Sequence, residues 1–315
     1  VASRATFQVE RDLTDAHAPW RDVYVDLRQS RWLRVRAGRF KMPFSADQLM
    51  SSPERTFINR SRAATYLAPG RDIGVMVHGR SARRLTYSLG VFRRDGDRTR
   101  TAERIARGRN RTVAGRVVVT PFTHTARWSK TLSIGASVTA SELPEGLNNL
   151  RGKTIGDRAV IPALAVSGAR HRYGVDGSWS GGPVDIRAES MTAIDARHHQ
   201  SLDGSTLPAV TVRGYLASAV WRLGRHHRRT HVAVADVGVR WEGLLMPGDT
   251  SAGASLSPRA LTPPDIRLHA VTVTATWAPV RVVRLRAEIG RERFTSAAIG
   301  TASGWSPAVG MQVAF

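Results

Sequence analysis

Apolar and polar residues alternate with period two from one end of the chain to the other, and this constrains the fold more than any other feature. Successive side chains of a strand point to opposite faces, so the alternation marks strands, and no long amphipathic helical period interrupts it. Val23, Val25 and Leu27 share one face against Asp22, Tyr24, Asp26 and Arg28. The same pattern marks Arg4 to Arg11, Asp22 to Gln29, Trp32 to Phe40, Asp72 to Gly79, Leu85 to Phe92, Val113 to Thr120 and Thr131 to Ser141. It continues through Ala169 to Trp179, Pro183 to Thr192, Ala209 to Leu223, His231 to Gly243, His269 to Pro279, Val280 to Phe294 and Pro307 to Phe315. These segments predict an all-β fold of about fourteen strands.

Three all-β architectures compete: a large sandwich, a propeller and a membrane barrel. A propeller repeats at roughly 40 to 50 residues, and no such repeat is present. The apolar face favours the barrel, because it is free of charge along strands of about nine residues or more, the length of a tilted membrane strand. Val237, Val239 and Trp241 oppose Asp236, Arg240 and Glu242, and Val271, Val273 and Trp277 oppose Thr272, Thr274 and Thr276. Aromatics fall near strand ends at Phe7, Trp32, Phe40, Trp179, Trp241, Trp277 and Phe315, as in an interfacial girdle. No apolar run reaches the roughly 18 residues of a membrane helix. The chain lacks cysteine, which excludes disulfide scaffolds, thiolate metal sites and cysteine nucleophiles.

The stretch from Leu33 to Gly79 carries a set of adjoining motifs: GRFKMPF (Gly38 to Phe44), SADQLMSSPE (Ser45 to Glu54), NRS (Asn59 to Ser61) and LAPGRDIGV (Leu67 to Val75). LTYSLGVFRRDGD, GRVVVTPF, GYLASAVWRL, ATWAPVRVVRLRAEI and the closing MQVAF follow collinearly. Together they resemble the phosphate-selective porin O and P family. The resemblance implies one outer-membrane antiparallel β-barrel over 1–315, of sixteen strands, usually a homotrimer that passes anions and needs no cofactor. Fourteen segments leave one hairpin to be found. Either the N-terminal hairpin precedes Val1, or strands hide within Arg98 to Thr112 and Asn149 to Ser167. Val1 stands where the family is already under way, which favours the first, and an export signal would then have been removed. Family members often carry an acidic residue where this chain has Asn59.

With the apolar face against lipid, the opposite parity lines the lumen. This gives location to a large charge: 47 Lys and Arg against 25 Asp and Glu, net +22, with Lys41, Lys130 and Lys153 the only lysines. The predicted pore-lining, anion-binding cations are Arg34, Arg36, Arg116, Arg170, Arg172, Arg187, Arg213, Arg240, Arg284 and Arg286. The lumen acids are fewer: Asp22, Asp26, Asp185, Glu189, Asp236, Glu242 and Glu288, with Asp185 expected to partner Arg187 and Glu288 to partner Arg286. A guanidinium fork donates two parallel hydrogen bonds to a phosphate, and pairs such as Arg34/Arg36 and Arg284/Arg286 lie about 7 Å apart along one face, close enough to hand an anion onward. The connection from Lys41 to Arg71 is too long for a hairpin turn. Lys41, Arg60 and Arg71 within it either form a constriction or fix the loop to the wall.

The expected partners are small anions, phosphate or polyphosphate, and outer-membrane lipid. A nucleic-acid binder would gather its arginines into one patch, whereas these are spread over every strand. A barrel enzyme would need a positioned nucleophile, and His198-His199 and His226-His227 lie in loops without a spaced carboxylate or third histidine. Neither catalysis nor a bound metal is expected.

Overall fold

A computed structural model of the chain describes residues 4–13, 19–81, 84–96, 111–121, 131–148, 150, 154, 160–223, 234–248, 262–280, 282–297 and 300–313. Every alternating segment forms a strand. They are β1 (Ala5–Arg11), β2 (Trp20–Arg28), β3 (Arg34–Lys41), β4 (Arg71–Ser81), β5 (Leu85–Phe92), β6 (Thr112–Val119) and β7 (Thr131–Leu147). The chain continues as β8 (Ala165–Gly181), β9 (Val184–Arg197), β10 (Leu207–Arg222), β11 (Val234–Met246), β12 (Ile266–Val280), β13 (Val283–Ser296) and β14 (Gly300–Val313). Each strand pairs antiparallel with the next, in one fourteen-stranded sheet ordered β1 to β14. Of the two stretches that could hide further strands, 97–110 lies outside the described residues, and the described residues between 148 and 164 hold none. Phe315 and His226-His227 also lie outside them.

Two strands run well past their alternating cores, for identifiable reasons. Alternation breaks at Pro144, yet β7 continues to Leu147 because the pairing with β8 shifts register between Leu143 and Gly146. A bulge absorbs the proline that a regular ladder would reject. Pro307 lies inside β14, the last strand of the sheet order, opposite Ile289, and an end strand is where a proline is tolerated.

Burial follows parity. Val237, Val239 and Trp241 are 43%, 45% and 51% exposed, while Arg240 and Glu242 between them are 4% and 2%. A sandwich in water would show the reverse, so the exposed apolar face is the one that meets lipid. The inner face closes around the 42–70 connection between β3 and β4. That connection holds two short helices, α1 (Ala46–Leu49) and α2 (Arg62–Leu67), with a 3-10 turn at Ser52–Glu54 between them. It is hydrogen-bonded to β9, β11 and β13 at once, which requires the sheet to curl around it.

Two apolar clusters fill part of the interior. Phe40, Met42, Met76, Phe92 and Ala114 pack with Tyr24 between β2 and β6. Phe40 therefore belongs to no girdle: it shares the inward parity of Arg36, is 1% exposed and meets Phe92 edge-on at 5.3 Å. The larger cluster seats Ala63, Ala64 and Leu67 of α2 against Met191, Val210, Val212, Leu244 and Phe294 of the wall.

That packing reverses the parity expected of β10. Its apolar residues Val210, Val212, Leu216 and Val220 turn inward, and Arg213 turns outward with Tyr215 and Trp221. The expectation that Arg213 lines the lumen is thus overturned, because the apolar side of this strand serves the loop and not the lipid. Gly214 makes the fit possible, since a Cβ there would sit 2.7 Å from the Ala63 Cβ and 2.9 Å from Leu67 Cδ1. Gly214→Val is expected to push α2 off the wall at a cost of about 2 kcal/mol, read as a lower unfolding midpoint in urea, whereas Gly177→Val, with only Ser133 O near, is tolerated.

Candidate functional site

The site is built around the inward loop, and three wall carboxylates hold that loop in place. Glu189 of β9 accepts from the N–H groups of Ala46 and Asp47 at 2.9 and 3.1 Å. Glu242 of β11 accepts from Arg62 N–H at 2.7 Å, and Glu288 of β13 from Ile58 N–H at 2.8 Å. These are amides that a short helix or turn leaves without an internal partner. Ser45 and Ser61 cap α1 and α2 by accepting from Gln48 and Ala64 N–H, both at 3.1 Å. Asp47 ties the helices together by accepting from the Ser61 N–H and hydroxyl at 2.8 and 2.9 Å. Ser45 adopts φ 64 and is fully buried, a strained backbone held by its surroundings.

The inward cations divide into two groups. Several are already neutralised by a carboxylate. Arg36 donates to Asp26 at 2.9 and 2.7 Å and lies over the Tyr24 ring at 4.1 Å, and His78 also meets Asp26. Arg71 forms a bidentate pair with Asp22 at 3.0 and 2.8 Å, and Arg116 with Asp176 at 2.6 and 2.9 Å. Arg170 and Arg172 are fully buried, with Asp195 and Asp95 on the first and Asp95 on the second. Burial opposes ionisation of Asp95, in the loop after β5, but Arg172 and Arg170 outweigh it and hold the carboxyl below its usual range. The expectation that Arg170 and Arg172 offer themselves to passing anions is therefore corrected: both are parts of a sealed ionic knot. Arg240 joins the paired group through Glu242, while also donating to Asn59 O at 2.8 Å and covering Phe57.

The second group comprises inward cations of the wall and the cations of the loop itself. Arg34, Arg187, Arg284 and Arg286 face inward and form no ion pair with a described residue. Arg284 donates to Pro53 O at 2.7 Å and Arg187 to Met50 Sδ at 3.0 Å, so both touch the loop. Lys41 donates to Leu49 O and Met50 O at 3.2 Å, and Arg60 to Met50 O at 3.0 Å. Arg55, on the loop itself, stands among Asp47, Arg240 and Glu288. Arg284 and Arg55 are the charged neighbours of Arg286, together with Glu288. The Nε atoms of Arg55 and Arg286 are buried and donate to no described residue.

Two predicted pairings do not form. Asp185 meets Arg222, not Arg187, and Glu288 is taken by the loop amide, not by Arg286. Among the described residues a cavity of about 330 Å³ lined by Arg60, Arg62, Arg240, Glu242 and Glu288 flanks the loop, and so do two more. One, of about 650 Å³, is lined by Glu10, Asp22, Lys41, Pro53, Arg60 and Arg71. The other, of about 260 Å³, is lined by residues including Arg55, Phe57, Arg187, Glu189 and Arg240. His198-His199 sits in the turn before β10, and no group of residues able to hold a metal occurs among the described residues.

The family model described as phosphate-selective porin O and P matches residues 2–229. The anion-selective porin from Comamonas acidovorans is similar in structure, with TM-score 0.55 and 14% identity over 95% of this chain and 79% of that one. OprB of Pseudomonas putida matches with TM-score 0.57 and 8% identity over 99% and 76%. OmpT of Vibrio cholerae, in a trimer form, matches with TM-score 0.56 and 9% identity over 93% and 80%. At these identities the likeness establishes the fold, an outer-membrane porin barrel. No curated protein sequence matches the chain significantly.

Proposed function

The chain belongs to the phosphate-selective porin O and P family, and from that premise we propose that it forms a water-filled channel for passive diffusion of anions, with phosphate and polyphosphate the preferred solutes. The observation that carries this is the group Arg55, Arg284 and Arg286. Arg284 and Arg55 both stand near Arg286 beside the loop, and two of the carboxylates around them are committed to loop groups, Glu288 to the Ile58 amide and Asp47 to Ser61. Like charges kept together without a counter-charge attract a mobile anion into the gap, and rings of Arg and Lys make an aqueous pore anion-selective. Lys41 and Arg60 extend the positive field along the larger cavity, where Arg71 is balanced by Asp22. Arg34 and Arg187 complete the lining.

The loop does in this reading what its contacts permit: it narrows the lumen and carries Arg55 and Arg60 into the path. The channel works as a homotrimer in the outer membrane, its apolar outer face against lipid, and performs no catalysis. A trimer form of the structurally similar OmpT and the outward valine rows support this part.

A second reading, a general anion porin without phosphate preference, draws support from Arg36, Arg71, Arg116, Arg170 and Arg172. Their pairing with aspartates leaves few forks free for an oxyanion. Planar-bilayer recording in chloride with phosphate added separates the two. The phosphate reading expects chloride current to fall by half at about millimolar phosphate, while the general reading expects conductance to follow mobility alone. A reversal potential favouring cations refutes both.

A further inference from the structure

The cations on the outer face of the barrel are a separate matter from the lumen. Arg213 on β10, Arg267 on β12 and Arg291 and Arg293 on β13 all point outward and are exposed. Register places them together. Arg213 and Arg267 both pair with Leu245 of the intervening strand, and His269 stands directly across from Arg293. Trp305 lies beneath Arg291 at 5.3 Å, and the Tyr215 hydroxyl meets His269 Nδ1 at 2.6 Å. Arg267 is paired with Asp265 at 3.2 Å, with its side chain still 62% exposed. Arg213, Arg291 and Arg293 form no ion pair with a described residue, and the outward positions of β10 to β13 carry no carboxylate.

An arginine on the lipid face costs about 2 to 4 kcal/mol at the bilayer midplane and about 0 to 1 at the interface. Arg213, Arg267 and Arg293 sit near the interface, and Arg291, level with Val271, lies about 10 Å deeper against the Trp305 ring. Arg213 is eight residues above Trp221, and Arg267 ten residues above Trp277, in strands whose lower ends those tryptophans mark. At a rise of about 3.3 Å per residue and a tilt near 40°, that is roughly 20 to 25 Å, the full height of an apolar band. Arg39, which shares the parity of Val35 and Ala37, also lies at this end, where it donates to Trp20 O at 3.1 Å. It is the end of the long connections 42–70, 93–111, 148–164 and 247–265, which in such barrels faces outside the cell. At the opposite end the described strands present no outward cation.

We propose that the outward surface formed by Arg213, Arg267, Arg291 and Arg293, floored by Trp305 and Tyr215, is a docking site for the phosphate groups of an anionic glycolipid in the outer leaflet. The proposal rests on the barrel lying in the outer membrane. Guanidinium forks spaced across three strands match a headgroup bearing more than one phosphate, while the aromatic rings and the valines below receive its acyl chains. The ladder inside the lumen has no access to such a ligand.

Native mass spectrometry of the delipidated full-length oligomer tests it, with diphosphoryl lipid A, lipid A lacking phosphate and zwitterionic phosphatidylethanolamine as probes. Diphosphoryl lipid A alone is expected to be retained, in the presence of inorganic phosphate as well as without it. The triple variant Arg213→Gln, Arg291→Gln, Arg293→Gln is expected to lose about a hundredfold in retention with unchanged channel conductance, and the corresponding Lys triple to keep most of it. Equal retention of all three probes by the wild type overturns the proposal. So do displacement by inorganic phosphate, undiminished retention by the Gln triple, or its dissociation into monomers, which would assign this face to a subunit contact. Channel recordings on the same samples report on the porin reading independently.

Discussion

Removing the three carboxylates that hold the loop, in the variant Glu189→Ala, Glu242→Ala, Glu288→Ala, is expected to raise single-channel conductance about twofold and to make the open channel noisy. Each hydrogen bond to a charged acceptor contributes about 1.5 to 3 kcal/mol, so the four bonds to Ala46, Asp47, Ile58 and Arg62 sum to roughly 6 to 12 kcal/mol of loop anchoring. The apolar seat of α2 is untouched, and Ala63, Ala64 and Leu67 stay buried against β9, β10 and β13. The segment from Ser45 to Arg60 is therefore the part that swings away, taking Arg55 and Arg60 from the water path. Conductance rises because the lumen widens, and anion preference falls because the loop cations leave with it. Planar-bilayer recording reads both quantities at once. Unchanged conductance would mean that α2 alone fixes the constriction.

The wall was largely legible in the sequence, and the loop was not. Period-two alternation located every strand because each one separates lipid from water, so the two faces must differ along its whole length. The rule fails on β10, where the inward side of Val210, Val212 and Leu216 meets the loop helix, and hydrophobicity no longer distinguishes inside from outside. It mispaired the acids for a different reason. Residues two apart on one strand lie about 7 Å from each other and diagonal cross-strand neighbours about 7 to 8 Å apart, so spacing along one strand alone does not choose the partner. Asp185 sits opposite Val220, two residues from Arg222, and that diagonal neighbour wins over Arg187. Nothing in the alternation of β9, β11 and β13 announces that the carboxylates of Glu189, Glu242 and Glu288 receive backbone amides from residues 46 to 62.

Neutralising the uncompensated cations, in the variant Arg55→Gln, Arg284→Gln, Arg286→Gln, is expected to lower the anion-to-cation permeability ratio about tenfold at low salt and much less at 1 M salt, where the Debye length is about 3 Å. Glutamine keeps the polar, hydrated character of the lining, so the change isolates charge. Arg284 and Arg55 each hold a loop carbonyl, of Pro53 and Ile58, and a glutamine amide can still donate one such bond. Conductance is therefore expected to change less than selectivity, which distinguishes this variant from the loop-release variant above. A control comes from the paired group: Arg36→Gln removes a charge that Asp26 already balances and frees that carboxylate, so it shifts selectivity toward cations by adding a negative site more than by losing a positive one. Restoring neutrality with Asp26→Asn in the Arg36→Gln background is expected to return the ratio to near the wild-type value. No parallel rescue exists for Arg284 and Arg286, because among the described residues they have no ion-pair partner to remove. If the triple variant retained full anion selectivity, the source of the field would have to be Lys41 and Arg60 at the larger cavity, and the same recordings on Lys41→Gln, Arg60→Gln would then carry the loss.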